Sequence, residues 1–177
     1  QILRKYHLLG RCVEQAMNAG DSILLQVDAA RSLGVAALQK IGFTAAEAEV
    51  ITAGQIDAEL CGYPALGLAR ILTISEHENF RKPRSAIRIE HETPVSARID
   101  GGNYPGFYAV YRAMEVAIEK AQANRFAVVG ARNCWMSGRS AYYVEKIARA
   151  GFACAHFACR DRKSTRLNSS HMSESRM

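Results

Sequence analysis

The chain is 177 residues long, 49% hydrophobic and 23% charged, with 23 Lys and Arg against 17 Asp and Glu, a formal net charge of +6. That balance first suggests a nucleic-acid partner. The excess sits at the ends, however: Arg4, Lys5 and Arg11 against Glu14, and Arg162, Lys163, Arg166 and Arg176 against Asp161 and Glu174. No basic stripe interleaved with aromatics lies between them, so nucleic acid is dropped as a partner.

In chain order, Ser22–Val27 carries Ile23, Leu24 and Leu25 and reads as a short strand, with Asp28 as the N-cap of a helix over Ala29–Ile41 that Gly42 ends. Thr44 and Glu47 form a capping box, and Phe43 occupies the staple position before it, for a helix reaching about Leu60. Gly67–Asn79 reads as the next helix. Ala86–Glu90 and Val95–Asp100 alternate apolar and polar residues, as half-buried strands do. Asp100-Gly-Gly-Asn103 reads as a turn leading into a long amphipathic helix, Phe107–Asn124. Phe126–Gly130 reads as a buried strand and Asn133–Gly138 as a loop. Ser140–Ala150 reads as a helix and Phe152–Ala158 as a further strand.

The fold class that follows is α/β, a mainly helical region over 17–84 and the first part of an α/β domain over 85–160. The tail, DRKSTRLNSSHMSESRM, loses all apolar periodicity and resembles an in-frame translation of a sequencing adapter, so 161–177 is set aside. Residues 1–16 precede Met17, a credible start, and are read as upstream or non-native sequence. A chain cut in mid-sheet is expected to be inactive by itself and poorly soluble.

The five cysteines are an odd count without disulfide spacing, which points to a reducing compartment. Cys154, His156 and Cys159 resemble a metal cluster, but their alternation in a strand-like run reads as buried thiols, and no metal is expected. No apolar run is long enough to span a bilayer, and no signal peptide opens the chain at either candidate start.

Two stretches carry chemistry. In Ala58–Leu72, AELCGYPALGLARIL, Gly62, Tyr63, Pro64 and Gly67 crowd a junction between helices, with Arg70 a turn into the second. A guanidinium there can fork onto a carboxylate, or simply solvate a helix surface. In Arg132–Tyr143, Ser137, Gly138, Arg139 and Ser140 stand between a strand and a helix N-terminus, where anions are favoured. Alternatively Ser140 is a plain N-cap, Tyr142 and Tyr143 pack, and Arg139 faces solvent. No Gly-x-Gly-x-x-Gly links a strand to a helix, so a Rossmann site is unsupported.

The junction resembles that of the malate/L-lactate dehydrogenase family of non-Rossmann type, whose pattern is Gly-x-x-Ser-His-Gly-x-x-Arg. Gly62, Gly67 and Arg70 match, while Ala65 and Leu66 replace the Ser and His. The later stretch resembles the family's Asn-Ser-Asn-His-x-Gly loop and its Tyr-Tyr pair: Asn133, Gly138, Tyr142 and Tyr143 match, and Met136 stands at the histidine. Asp100-Gly and the helix end Glu119-Lys120-Ala121 also agree, so the likeness runs from Met17 to about Phe157.

The resemblance implies a truncated domain of that family's type and a cytoplasmic homodimeric oxidoreductase using NAD or NADP on small 2-hydroxy and 2-keto acids. It implies substrate binding by Arg70, Ser137 and Arg139, and identifies no cofactor-binding residues. Ala65, Leu66 and Met136 cannot carry a proton, which leaves the carrier to Tyr63, Tyr142, Tyr143 or a residue further on. Three further readings stay open, a redox-inactive homologue that keeps a carboxylate pocket, a cyclic imino-acid reductase, and a dimerisation or structural module that uses only the fold.

Overall fold

The computed structural model describes residues 24–158, so the readings of Met17, of 1–16 and of the tail lie outside the described residues. Helix α1 spans Val27–Lys40 and α2 spans Ala45–Leu60. A 3₁₀ turn at Pro64–Leu66 leads into α3, Arg70–Glu76, and a second 3₁₀ turn covers Glu78–Arg81. Strands β1 (Arg88–Glu92) and β2 (Ser96–Pro105) precede α4 (Gly106–Asn124), β3 (Val128–Trp135) and α5 (Ser140–Arg149). The architecture is thus a helical layer joined to a mixed sheet of order β1-β2-β3, antiparallel between β1 and β2 and parallel between β2 and β3.

The start of α2 forms as its residues dictate. Glu47 N–H donates to Thr44 Oγ1 at 3.4 Å, and Thr44 N–H donates to Glu47 Oε2 at 2.9 Å, closing the capping box. Phe43 is buried beside Leu38, Ala48 and Ile51 in a core completed by Ile71 and Ile74 of α3 and Phe107 of α4. Helix α4 lies against β2 and β3, and α2 lies against α4. Lys120 of α4 is buried, bonded to Glu92 Oε1 at 2.8 Å and to the Thr93 carbonyl at 2.7 Å, and this pins the β1–β2 turn.

Several boundaries differ from the sequence reading. Residues 24–26 carry no secondary structure; Gln26 is the N-cap and Asp28 lies inside the first turn of α1. The predicted helix over Gly67–Asn79 is broken. Pro64 opens a 3₁₀ turn, and His77 leaves the helical region with ψ 138° while its Nδ1 accepts from Asn79 N–H at 3.1 Å. The predicted turn at residues 100–103 is strand: β2 runs on to Pro105, breaking its register with β3 between Asp100 and Tyr104. Gly102 and Asn103 absorb the break at φ +59° and +60°, a region Asn tolerates better than other side chains.

Strand β3 begins later than predicted and continues through Asn133, Cys134 and Trp135, which were read as loop. Among the described residues it is the last strand of the sheet, and Phe126 and Val128 are exposed rather than buried. Phe152–Ala158 carries no secondary structure, and Phe157 is exposed. Alternating residues were insufficient there because a strand exists only through a partner's ladder bonds.

Candidate active site

The junction is built by close contacts. Tyr63 N–H donates to the Ala58 carbonyl at 2.8 Å, and Gly62 turns the chain at φ +80°. Glu59 reaches forward from α2 to accept from Leu68 N–H at 3.1 Å, and its side chain fills the space a Cβ at Gly67 would need. That packing delivers Arg70 as the first residue of α3, not one turn in. Arg70 is half-buried, its Nε has no hydrogen-bond partner, and among the described residues it makes no ion pair. A guanidinium so placed has donors left over for an anion.

Arg139 is different. Its Nε and Nη2 donate to Asp57 Oδ2 at 2.9 and 2.6 Å, and its Nη1 donates to Glu145 Oε1 at 2.9 Å, with the side chain 10% exposed. It does not face solvent. Burial disfavours its charge, but the bonds it donates to Glu145 and Asp57 outweigh that and raise its pKa further. Arg139 also takes the N-cap position of α5 without a side-chain cap, so Ser140 is the first helical residue and not the cap.

The loop before α5 is pinned on every side. Tyr143 Oη donates to the Ser137 carbonyl at 2.6 Å, and a Cβ on Gly106 would lie 2.8 Å from Ser137 Cα. Gly138, at φ +73°, packs on the Phe107 ring. Met136, at φ +58°, lies with Trp135 against the core that holds Ile71 and Ile74. The core therefore joins the Ser137 loop to the helix that starts at Arg70, whereas Arg139 is committed to Asp57 on α2.

Proton carriers are scarce here. Ala65 and Leu66 form the 3₁₀ turn, and Met136 is packed. Burial pushes Tyr142 up to about 12, with Tyr111 and Asp57 adding to it, and burial pushes Tyr143 still higher. Both shifts run opposite to what a phenol needs to exchange protons near neutrality. Burial, then Asp57, also raises the Cys61 thiol.

One group escaped the sequence reading as a unit. The Asp100 carboxylate accepts from Gly102 N–H at 3.0 Å, from Asn133 Nδ2 at 2.7 Å and from Arg88 Nη2 at 3.2 Å. Gly102, then Asn133, hold it below the usual carboxylate range. Asp100-Gly and Asn133 fall in separate motifs, and no spacing rule links positions 33 residues apart.

A sequence model of malate/L-lactate dehydrogenases matches residues 25–165 of this chain. The chain belongs to that family. It is 31% identical over 126 residues to the L-sulfolactate dehydrogenase of Methanocaldococcus jannaschii, covering 70% of this chain and 36% of that protein. It is 40% identical over 79 residues to the ureidoglycolate dehydrogenase (NAD(+)) of Escherichia coli, covering 45% of this chain and 22% of that one. The solved malate dehydrogenase of Pyrococcus horikoshii superposes with a TM-score of 0.66 at 31% identity, over 73% of this chain and 38% of that one. The chain thus spans little more than a third of the length of such relatives. Among the described residues no helix is long and apolar enough to cross a membrane.

Proposed function

We propose that the whole protein is a homodimeric cytoplasmic oxidoreductase that interconverts small 2-hydroxy and 2-keto acids with NAD or NADP, and that Arg70 binds the substrate carboxylate. The observation that carries the reading is the contrast between two arginines. Arg139 is paired with both Asp57 and Glu145, whereas Arg70 has a buried Nε without a partner and no counter-ion among the described residues. Ser137, half-buried in the loop after β3, adds a hydroxyl beside the same core, and Arg139 serves by holding that loop.

The nicotinamide supplies the hydride chemistry of this family. The described residues offer no cradle for its phosphates. The glycines nearest the starts of α4 and α5, Gly106 and Gly138, have the space above them taken by Ser137 and Phe107, so no step through the cofactor is assigned to these residues. Their part is to fix the acid group and orient the 2-carbon.

The absence of a titratable group at Ala65, Leu66 and Met136 favours a second reading, a homologue that binds carboxylates without redox turnover. The full-length gene product separates the two. Reduced nicotinamide binding together with turnover of a 2-hydroxy acid supports the first, and carboxylate binding alone supports the second. Arg70→Ala raises KM, or Kd, for the acid about 10- to 100-fold if Arg70 holds it. An unchanged constant refutes the assignment.

A further inference from the structure

On the far side of Trp135 lies an open cleft of about 490 Å³ lined by Asn79, Lys82, Ser85, Asn103, Asn133 and Trp135, among others. It stands outside the carboxyl ends of the parallel strands β2 and β3, where open sheets place ligands. Its walls are fixed by mutual hydrogen bonds. Asn103 Nδ2 donates into the 79–83 turn, to the Asn79 carbonyl at 2.9 Å and the Lys82 carbonyl at 3.3 Å. Trp135 Nε1 donates to the Asn103 carbonyl at 3.1 Å, and Ser85 N–H donates to the Gly102 carbonyl at 2.9 Å. The back of the indole is covered by His77, stacked at 4.4 Å and 11°. Asn103 and Asn133 hold left-handed backbone at φ +60° and +53°, as does neighbouring Met136, and such strain gathers at functional sites.

The polar atoms left over have a definite character. Lys82 Nζ makes one bond, to Asn79 Oδ1 at 2.6 Å, and has two donors free. The Oδ1 atoms of Asn103 and Asn133 accept nothing among the described residues, and the Ser85 hydroxyl is likewise unpaired there. No lining side chain is acidic. Asp100, which accepts from Asn133, is already matched by Arg88 and Arg132. One cation with two amide acceptors and a hydroxyl complements an anionic group whose neighbouring carbons carry hydroxyl hydrogens.

We propose that this cleft is a binding site for a small hydroxylated anion, taken by Lys82 through its acid group and by Asn103 and Asn133 through its hydroxyls. The site is separate from Arg70 and does not rest on the proposed redox activity. Both glycerate and glycerol 3-phosphate carry this chemistry, as a carboxylate and a phosphate respectively.

Trp135 is the only tryptophan of the chain, so its fluorescence reports directly on the cleft. Titrating the full chain with glycerate and with glycerol 3-phosphate is expected to give a saturable change with at least one of them, and the stronger of the two identifies the acid group. Glycerol and acetate, each holding half the chemistry, are expected to bind at least tenfold more weakly. In the Arg70→Ala background, which disables the carboxylate site proposed above, a saturable response remains, and adding Lys82→Gln, at an exposed position, weakens it at least tenfold. The proposal is overturned if neither probe gives a saturable change, or if acetate matches glycerate. It is also overturned if Arg70→Ala abolishes the response while Lys82→Gln preserves it, since the ligand would then sit at the carboxylate site proposed above.

Discussion

The side-chain amide of Asn133 donates to Asp100 Oδ1 at 2.7 Å, tying the left-handed end of β3 to the point where β2 breaks its register. Gly102 N–H approaches the same oxygen. The register break of β2 and the end of β3 are thereby locked to each other before either meets a ligand.

The Asp100 carboxylate is held below the usual range, so its contribution to stability is present above the ordinary pKa of about 4 and is lost as pH falls through the lowered folded value. Urea midpoints of the wild-type chain are therefore expected to drop on acidification below about pH 4, and those of Asp100→Asn to drop less. Parallel profiles for the two proteins would contradict the assigned interaction.

Arg139 ties α2 to the start of α5, and removing it strands Asp57 and Glu145 as neighbours without their cation. Arg139→Met is expected to cost about 2 kcal/mol in chemical denaturation, within the range for charged hydrogen bonds. Arg139→Lys recovers little, because an ammonium cannot reproduce the fork. Neither change is expected to alter acid binding as strongly as Arg70→Ala.

Three glycines rank by what surrounds them. Gly138→Ala meets the Phe107 ring at a positive φ and is expected to destabilise by about 3 kcal/mol. Gly67→Ala displaces the flexible Glu59 side chain and is expected to cost about 1 kcal/mol, with a rise in KM as Arg70 loosens. Gly130→Ala, in open space, stays within about 0.5 kcal/mol. Thermal melts of the three variants check the order.

Tyr104 Oη donates to Glu47 Oε1 at 2.7 Å, and burial followed by that bond pushes its pKa up to about 12. The associated stability is complete below the ordinary value of about 10 and disappears as pH rises towards 12. Wild-type protein is expected to lose stability over that window and Tyr104→Phe to lose less, starting about 1 kcal/mol lower at neutral pH.

What the sequence made legible follows from range. The α2 capping box, the ends of α2 and α4, and the strand pair came from residues within a few positions of one another. The resemblance carried by Gly62, Gly67, Arg70 and the Asn133–Tyr143 loop pointed to the family that the comparison identifies. Contacts across the chain were illegible. Nothing in the spacing tells that Arg139 is neutralised by Asp57, 82 residues earlier, or that His77 ends α3 by bonding to Asn79 and stacking on Trp135. Sequence offers Tyr142 and Tyr143 as proton carriers, and only their burial in the fold, which raises both phenols, removes them from that role.

Glu47 divides its carboxylate between two masters: Oε2 closes the first turn of α2, and Oε1 receives the phenol of β2. Arg84 lies over both Phe43 and Tyr104, 4.2 and 5.4 Å from the ring centroids, and its Nη2 holds the Gly42 carbonyl at 2.6 Å. The entrance to a helix and the body of a strand are consequently sewn with one thread. A substitution that frays the beginning of α2 reaches the sheet without crossing the apolar core, so the helical and sheet parts share their cooperativity through a polar seam.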